Sequence, residues 1–415
     1  MDRFGFVAGG DSEGPRAARN AAAARRQAAW LENKRTRKWL AMYEGWPRWS
    51  RRKQGKIKSR VRKGIPDAMR GKMWMVISGA DALRAASERG AGSPGSFEAL
   101  ARRSAGEFDA MQDLVTDVER EEKAALRVWQ ADLEARAAER ARRRESGGDG
   151  DKNSNSSNSG GGETKAAAAA RPPGQDPQQL FSAKQRALRK WDLVVTADLN
   201  RTYPDHCMFH RGGFGQELLQ RVLRAYGLAH PAFGYTQGMN FIAAMFLSYM
   251  PARDAYYMLT RVMDSPPWNL QRIFSDRTPM VPQLWFQFDA LLRKYIPRVH
   301  AHFARENIMP SMYVTKWFVT LFTRDFGFDL VVRVWDIFLH QGWKVIHRVA
   351  LALLKMHEAE LLAMDMEKIL YFVRELPTRN GGLDAQAVLV AAHKIPLRTK
   401  EVEALEEKWK KEQTG

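Results

Sequence analysis

The chain has 415 residues, a hydrophobic content of 45% and a formal net charge of +19. That hydrophobic share is enough for a sizeable core, and no run approaches the roughly 18 apolar residues of a membrane span. Cys207 is the only cysteine, which excludes an intrachain disulfide and a multi-cysteine zinc site. We therefore expect a soluble protein of the cytoplasm, a reducing compartment, with a peripheral position on endomembranes as an open alternative.

Residues 1–54 are predicted to form a basic N-terminal extension that is partly disordered, with a helix over 21–45. Residues 1–64 hold 18 Lys and Arg but 5 Asp and Glu, a balance that suits nucleic acid, anionic membrane or an acidic protein partner. Bases could stack on the tryptophans among these charges. No nucleic-acid motif accompanies them, so we favour packing on the following domain by Trp39, Leu40, Trp46 and Trp49. Anionic membrane stays open as a partner.

The first core helix is predicted to open at Gly64-Ile65-Pro66-Asp67. Proline suits the first helical position, and an aspartate in the first turn faces the positive end of the helix macrodipole. The apolar pattern of this helix ends near Gly79.

Residues 90–180 are predicted to be an insertion. The stretch from Phe97 to Arg144 is charged and alanine-rich, with opposite charges at helical spacing. Ser146 to Gly174 offers almost nothing to bury. We therefore expect a partly helical segment followed by a disordered, low-complexity linker.

Apolar residues recur at helical spacing from about residue 180 onward. They form one face at Leu218, Leu219, Val222, Leu223 and Tyr226, and another at Leu330, Val331, Val334, Trp335, Phe338 and Leu339. Val345–Leu362 is apolar nearly all round and predicts a central buried helix, while residues 376–415 predict a C-terminal helical tail. Because no segment alternates as a strand does, the predicted fold class is all-α.

Motifs for a bound nucleotide or metal are missing from the sequence. No G-x-x-x-x-G-K-[ST] run occurs, so the chain should not hold its own nucleotide in a P-loop. His206 and His210 stand four residues apart, but no third ligand lies near them and zinc needs three or four. We expect no cofactor and no metal of the chain's own.

Arg201 follows Asp198 by one helical turn. A guanidinium delivered into a phosphoryl-transfer site stabilises the charge that develops on the phosphate oxygens, and a carboxylate could hold that guanidinium in position. The alternative is an ordinary surface ion pair, which contributes about 0–1 kcal/mol.

Gln237 lies in the glycine-flanked run Gly234-Tyr235-Thr236-Gln237-Gly238-Met239-Asn240. A side-chain amide can accept from water and donate to a phosphate oxygen, so it can orient an attacking water. The alternative is a buried amide that satisfies backbone groups beside Gly238. Tyr235 is a support rather than a reactant in either interpretation, and Asn240 suits a helix cap or a hydrogen-bond network.

Four blocks of the chain, taken in order, resemble the TBC (Tre-2/Bub2/Cdc16) domain. They are Arg70-Gly71-x-x-Trp74 behind Gly64-Ile65-Pro66, then Asp198 to Arg201-Thr202-Tyr203-Pro204, then the run from Gly234 to Asn240, and last Lys316-Trp317-Phe318 with Phe322 and Arg333-Val334-Trp335-Asp336. The resemblance covers residues 55–375, interrupted by the insertion at 90–180.

The resemblance implies an all-helical GTPase-activating protein for a Rab-family small GTPase in its GTP form, acting in vesicle trafficking. Arg201 would be the arginine finger and Gln237 the glutamine finger, both acting in trans, while Asp198, Tyr235, Gly238 and Asn240 support them. The GTPase would hold the GTP and the Mg²⁺. Scaffold roles are implied for Arg70, Trp74, Arg333, Trp335 and Asp336, the tryptophans as core anchors and the charged residues as paired groups.

The sequence departs from the family pattern at two positions. Val195 stands in place of isoleucine, which changes little, and Phe241 stands where many members carry aspartate, so a polar contact there is expected to be absent. A non-catalytic Rab-binding or scaffold module is the alternative function. A missing finger would favour that alternative, whereas both are present.

Overall fold

The computed structural model describes residues 3–4, 15–89, 96–109, 183–275, 280–378 and 383–414. The chain divides into two compact units, one of Met1–Ser104 with Trp191–Gly415 and the other of Ala105–Lys190. In the second unit the described residues are helical. No strand occurs in these described ranges, which agrees with the all-α prediction. The predicted linker Ser146 to Gly174 lies outside them.

Helices make up most of the described residues. In order they are α1 (Pro15–Glu44), α2 (Trp46–Arg52), α3 (Gln54–Arg62), α4 (Asp67–Ser78), α5 (Ala80–Arg89), α6 (97–109), α7 (Ala183–Leu199), α8 (Phe214–Ala229), α9 (Met239–Leu247), α10 (Ala252–Asp264), α11 (Gln271–Phe274), α12 (Met280–Tyr295), α13 (Pro297–Arg305), a 3-10 turn (Pro310–Met312), α14 (Thr315–Val319), α15 (Phe328–Gln341), α16 (Lys344–Met356), α17 (Glu358–Leu362), α18 (Met366–Glu375), α19 (Ala385–Lys394) and α20 (Thr399–Thr414).

Two tryptophans anchor the centre of the first unit. Trp74 of α4 and Trp335 of α15 are fully buried on either side of Phe246 of α9. The ring centroid of Phe246 lies 5.9 Å from that of Trp74 and 5.2 Å from that of Trp335, both in edge-to-face geometry. Such pairs contribute about 0.5–1.5 kcal/mol beyond the area they bury. The ring of Phe246 thereby joins three helices that are distant in sequence.

A buried carboxylate links the same helices through hydrogen bonds. Asp336 accepts from the Trp74 indole at 2.8 Å, from the backbone N–H of Ile65 at 2.8 Å and from Arg70 Nε at 3.2 Å. Burial raises the pKa of the Asp336 carboxyl, and the charge of Arg70 opposes that shift. A buried ion pair is tolerated when its remaining donors and acceptors are satisfied. The connection before α4 is therefore held to α15.

Arg333 does not make the charged pair expected of it. Within the described residues it forms no ion pair, and its Nη2 instead lies 3.3 Å from the backbone oxygen of Arg62 and 3.3 Å from Gln386 Oε1. Its side chain packs over Gly64, where an added Cβ would come within 2.6 Å of the Arg333 Nε. Asp336 is already saturated by Arg70, Trp74 and Ile65, which explains why Arg333 is left without a carboxylate.

Several predicted helix limits are wrong by a few residues. The N-terminal helix begins at Pro15, inside the stretch expected to be disordered. The first core helix begins at Asp67, so Pro66 is its N-cap rather than its first residue, while Gly79 ends it with a left-handed φ of 80° as expected. The long buried helix predicted from Val345 breaks at His357 into α16 and α17.

The basic N-terminal segment packs on the core through some of its predicted apolar residues. Trp39 is buried, Trp46 and Trp49 are half-buried, and α1 packs against α4. Leu40 is exposed, which contradicts the expectation that it packs. Lys53 and Arg60 lie over the ring of Trp49, at 4.4 and 4.6 Å from its centroid. No helix in the described part of the chain has the length and apolarity of a bilayer span.

Candidate functional site

Arg201 stands just beyond the C-terminal end of α7. The helix ends at Leu199, and the backbone N–H of Arg201 still donates to the carbonyl of Asp198 at 3.2 Å. The Arg201 guanidinium pairs with the Asp198 carboxylate, which has 0% side-chain exposure, whereas the Arg201 side chain is 49% exposed. A terminal nitrogen of the guanidinium is therefore held by a buried carboxylate, while about half of the side chain is exposed to solvent.

A buried hydrogen-bond network fixes that carboxylate. Tyr235 donates its hydroxyl to Asp198, and the same hydroxyl lies 3.1 Å from Asn240 Oδ1. The Asn240 amide donates to Thr202 Oγ1 at 2.7 Å, and Thr202 in turn donates to the Asp198 carbonyl at 2.6 Å. Burial raises the pKa of the Tyr235 phenol, and the Arg201 charge lowers it in part. The phenol therefore stays protonated and acts as a donor.

Gln237 lies just before the N-terminal end of α9, between Tyr235 and Asn240, which both belong to this network. Its side chain is exposed and makes no hydrogen bond to other described residues. On one side, Thr236 donates its hydroxyl to the Phe274 carbonyl at 3.0 Å; on the other, the N–H of Gly238 donates to Asn240 Oδ1 at 3.0 Å. The backbone around Gln237 is thus fixed while its amide remains free.

Gly238 is required by the shape of this turn. Its φ is 108°, a left-handed conformation that side chains rarely adopt, and an added Cβ would lie 3.0 Å from Phe274 Cε1. A glycine meets both conditions at little steric cost. The predicted alternative, an amide at position 237 buried beside Gly238, is wrong because Gln237 is exposed.

Tyr203 ties the arginine segment to the opposite wall of the site. Its φ is 46°, and its hydroxyl donates to the Thr323 carbonyl at 2.8 Å and lies 3.2 Å from the Phe241 carbonyl. Burial raises the pKa of Tyr203, so this phenol is also neutral. A left-handed non-glycine residue persists only where its surroundings hold it, and these two contacts do so.

Arg201 and Gln237 line one open groove of about 680 Å³. Its walls also include Tyr203, Pro204, Asp205, Phe241, Arg324, Asp325, Phe326, Gly327, Phe328, Pro377 and Thr378. The Nε of Arg324 lies 3.7 Å from Oδ1 of Asp325. The ring of Phe4 lies against that of Phe328, with the centroids 5.8 Å apart. No group of three His, Cys, Asp or Glu within the described ranges is placed to hold a metal. The groove therefore combines the guanidinium of Arg201 and the amide of Gln237 with aromatic and charged wall residues.

Residues 165–362 match the family model of the Rab-GTPase-TBC domain. Residues 165–362 of the chain belong to the TBC-domain family. The chain is 31% identical to the human ecotropic viral integration site 5 protein homolog over an alignment of 220 residues. That alignment covers 52% of this chain and 27% of the relative. It is 30% identical over 355 residues to mouse TBC1 domain family member 10B, with 85% and 32% covered. The chain thus spans about a third or less of the length of these relatives.

A solved TBC domain has the same fold. The crystal structure of the Chlamydomonas flagellar RabGAP TBC domain matches with a TM-score of 0.54 at 18% sequence identity, covering 94% of this chain and 98% of that one. At such low identity the likeness concerns the fold alone.

Part of the groove of this TBC domain was not predicted from the sequence. Arg324, Phe326 and Phe328 lie inside the fourth block, between Phe322 and Arg333, but are not among its matching residues, and Pro377 and Thr378 follow α18. Phe241 was noted only as a departure from the family pattern, yet it lines the groove. The sequence signal for Arg324, Phe326 and Phe328 is their position inside the fourth block, whereas Pro377 and Thr378 are brought to the groove by the tertiary fold.

Proposed function

We propose that this TBC domain accelerates GTP hydrolysis on a Rab-family small GTPase in its GTP form, with Arg201 and Gln237 as fingers supplied in trans. The GTPase holds the GTP and the Mg²⁺, and this chain needs no cofactor of its own. In the cell the activity would regulate vesicle trafficking from the cytoplasm or from the surface of endomembranes. The observation that carries the proposal is that both side chains are exposed in one groove while buried partners fix their backbones.

Arg201 can supply the charge stabilisation that phosphoryl transfer needs. An arginine finger is worth about 10³–10⁵ in rate, equivalent to about 4–7 kcal/mol of barrier lowering. Turning the guanidinium toward a phosphate leaves the buried Asp198 with Tyr235 as a donor, at a cost of about 1–3 kcal/mol, which is smaller than the gain. Arginine suits this role because it stays protonated and presents a planar fork of donors.

Gln237 can place the attacking water. Its amide accepts from the water through oxygen and donates to a phosphate oxygen through nitrogen, without acting as a base. Because the neighbouring Thr236 hydroxyl and Gly238 N–H are hydrogen-bonded to Phe274 and Asn240, the backbone that carries this amide is fixed before the partner arrives. Pre-positioning of this kind is a large source of rate enhancement.

The experiment is single-turnover GTP hydrolysis on a panel of purified Rab GTPases, with the wild-type chain and three variants. Arg201→Ala and Gln237→Ala should each lower the stimulated rate by about 10³ or more. Arg201→Lys keeps the charge but loses the fork, so it should recover a small part of the activity. Urea unfolding should show a loss of less than about 3 kcal/mol for Arg201→Ala, because the buried Asp198 loses its cation but keeps Tyr235 as a donor.

Two results would contradict the proposal. One is an Arg201→Ala protein that stimulates every responsive Rab as well as the wild type does. The other is a wild-type chain that binds GTP-loaded Rab proteins without accelerating hydrolysis on any of them, which would instead support the non-catalytic binding or scaffold module.

A further inference from the structure

A second arginine borders the groove beside the proposed fingers. Arg324 lies in the connection between α14 and α15, and its side chain is 43% exposed. It lines the same groove as Arg201 and Gln237. Because Arg324 is not among the matching residues of the fourth block, the resemblance assigns it no role. The proposed finger mechanism does not use it either.

The charge of Arg324 is weakly held by the domain itself. Its Nε lies 3.7 Å from Oδ1 of Asp325, the next residue in the chain. Its guanidinium lies 6.0 Å from the centroid of the Phe241 ring, at the outer limit of a cation–π contact. It makes no hydrogen bond to another residue in the described part of the chain. An exposed pair of this kind contributes little, so the donors of Arg324 are available to a partner.

The backbone just before Arg324 is held in an uncommon conformation. Leu321 and Phe322 are consecutive non-glycine residues with left-handed φ values of 50° and 67°. Their side chains and that of Thr323 are fully buried, and the N–H of Phe322 donates to the Trp317 carbonyl at 2.9 Å. Such conformations persist where the surroundings hold them, and they are concentrated at functional sites. The first exposed residue that follows this turn is Arg324.

Tyr203 fixes the position of the Arg324 segment relative to that of Arg201. The Tyr203 hydroxyl donates at 2.8 Å to the carbonyl of Thr323, the residue before Arg324. Tyr203 itself stands two residues after Arg201. The full length of a buried tyrosine side chain therefore separates the two backbones. The two arginines are held on different walls of one groove.

We propose that Arg324 is a specificity-determining residue that binds a carboxylate side chain on the surface of the GTPase, beside the nucleotide. This inference rests on the proposed function. A carboxylate suits Arg324 because a guanidinium binds it through two parallel hydrogen bonds. The phosphates already receive a cation from Arg201, from which Arg324 is offset by Tyr203.

Selection among GTPases follows from the cost of an unmatched charge. Docking removes water from the groove, so a GTPase without an acidic residue opposite Arg324 would leave that cation desolvated and unpaired. Arginine is also enriched among the few residues that dominate the energy of an interface. We therefore expect Arg324 to affect the affinity for the GTPase rather than the rate of the chemical step.

Single-turnover hydrolysis on a responsive Rab, at increasing concentrations of the chain, separates these two effects. Arg324→Ala should raise the half-saturating concentration about tenfold or more, because a charge-assisted pair is lost, and should keep the maximal rate within about twofold. Arg324→Glu should raise that concentration at least about a hundredfold, since two like charges would face each other.

Arg298→Ala and Arg298→Glu are the matched controls for the two Arg324 variants. Arg298 is an exposed residue of α13 that does not line the groove, and each replacement alters the net charge as its counterpart does. Both controls should change the half-saturating concentration by less than about twofold. Urea unfolding of the Arg324 variants should match the wild type, because the side chain is exposed.

Exchange of charge between the partners identifies the carboxylate. Each exposed Asp or Glu of the responsive Rab is replaced in turn by Lys, and binding is measured by titration calorimetry with a non-hydrolysable GTP analogue on the Rab. One replacement should weaken binding to the wild-type chain and restore binding to Arg324→Glu, with a coupling of at least about tenfold.

Failure of this inference can be distinguished from failure of the proposed function. If the wild-type chain binds a Rab without stimulating it, the proposed function fails, and the calorimetric comparison of Arg324→Glu with Arg298→Glu still decides the role of Arg324. Equal effects of those two variants, or the lack of any restoring replacement, would overturn the inference. A lower maximal rate of Arg324→Ala at an unchanged half-saturating concentration would also overturn it, since Arg324 would then act on the phosphates.

Discussion

Replacing Tyr235 by phenylalanine removes one hydroxyl from the network that links the Arg201 segment to the turn that carries Gln237. The hydroxyl donates to the fully buried Asp198 and lies 3.1 Å from Asn240 Oδ1. A hydrogen bond to a charged group contributes about 1.5–3 kcal/mol, and the ring itself is unchanged. We therefore expect Tyr235→Phe to lower the free energy of unfolding by about that amount.

The same variant should lose less activity than a finger variant. Asp198 would still pair with Arg201 but with one donor fewer to fix it, so the guanidinium would be held less firmly. We expect a loss of about tenfold in stimulated hydrolysis, against about 10³ or more for Arg201→Ala.

Urea unfolding and single-turnover hydrolysis measure the two effects of Tyr235→Phe side by side. Tyr371→Phe is the control, because that ring is 60% exposed, and it should change neither quantity. If Tyr235→Phe had the same free energy of unfolding as the wild type, the role of the hydroxyl in the network would be refuted. A loss of activity as large as that of Arg201→Ala would show that Tyr235 contacts the reacting groups directly.

Three further variants test the site and the core. Gly238→Ala should lower the free energy of unfolding by about 1–3 kcal/mol, read from urea curves, because the φ of 108° and the close Phe274 ring both oppose a side chain. Arg70→Met should lower it by about 3–5 kcal/mol, since Asp336 would remain as a buried charge without its cation; a change below 1 kcal/mol would contradict the pairing. Burial lowers the pKa of His347 to about 3, so the unfolded chain binds more protons between that value and about 6.5, and stability should fall as pH decreases through that range by up to about 1.4 kcal/mol per unit. Urea unfolding at pH 7 and pH 5 should show this slope in the wild type and a smaller one in His347→Gln.

The helices could be predicted because their apolar periodicity is strong. In the predicted face, Leu219, Val222, Leu223 and Tyr226 are buried as its spacing predicts, and Leu218 is half-buried. The break at His357 could not be found in the same way, since an apolar pattern records which side chains are buried but not where the backbone turns. The C-terminal tail is helical as expected, in two segments, α19 and α20.

The groove shows where local sequence stops being informative. Arg201 and Gln237 could be proposed because each lies in a recognisable short block, and the supporting Asp198 and Asn240 lie in the same blocks. Phe328, Pro377 and Thr378 form the far wall only because α15 and α18 are folded back toward those blocks. Arg333 was expected to pair with a carboxylate, but the nearby Asp336 forms its ion pair with Arg70 instead. Competition for one buried partner is a property of the tertiary structure.

The network beneath the groove has a consequence for the entropy of association. The cation follows α7 and the amide precedes α9, yet Thr202, Asn240 and Tyr235 join the two loops below the surface. Loops that are ordered separately on binding would each lose conformational freedom at that moment. Here the loss is incurred during folding, so the two loops meet an incoming surface as one rigid body, and the distance between their tips is already set.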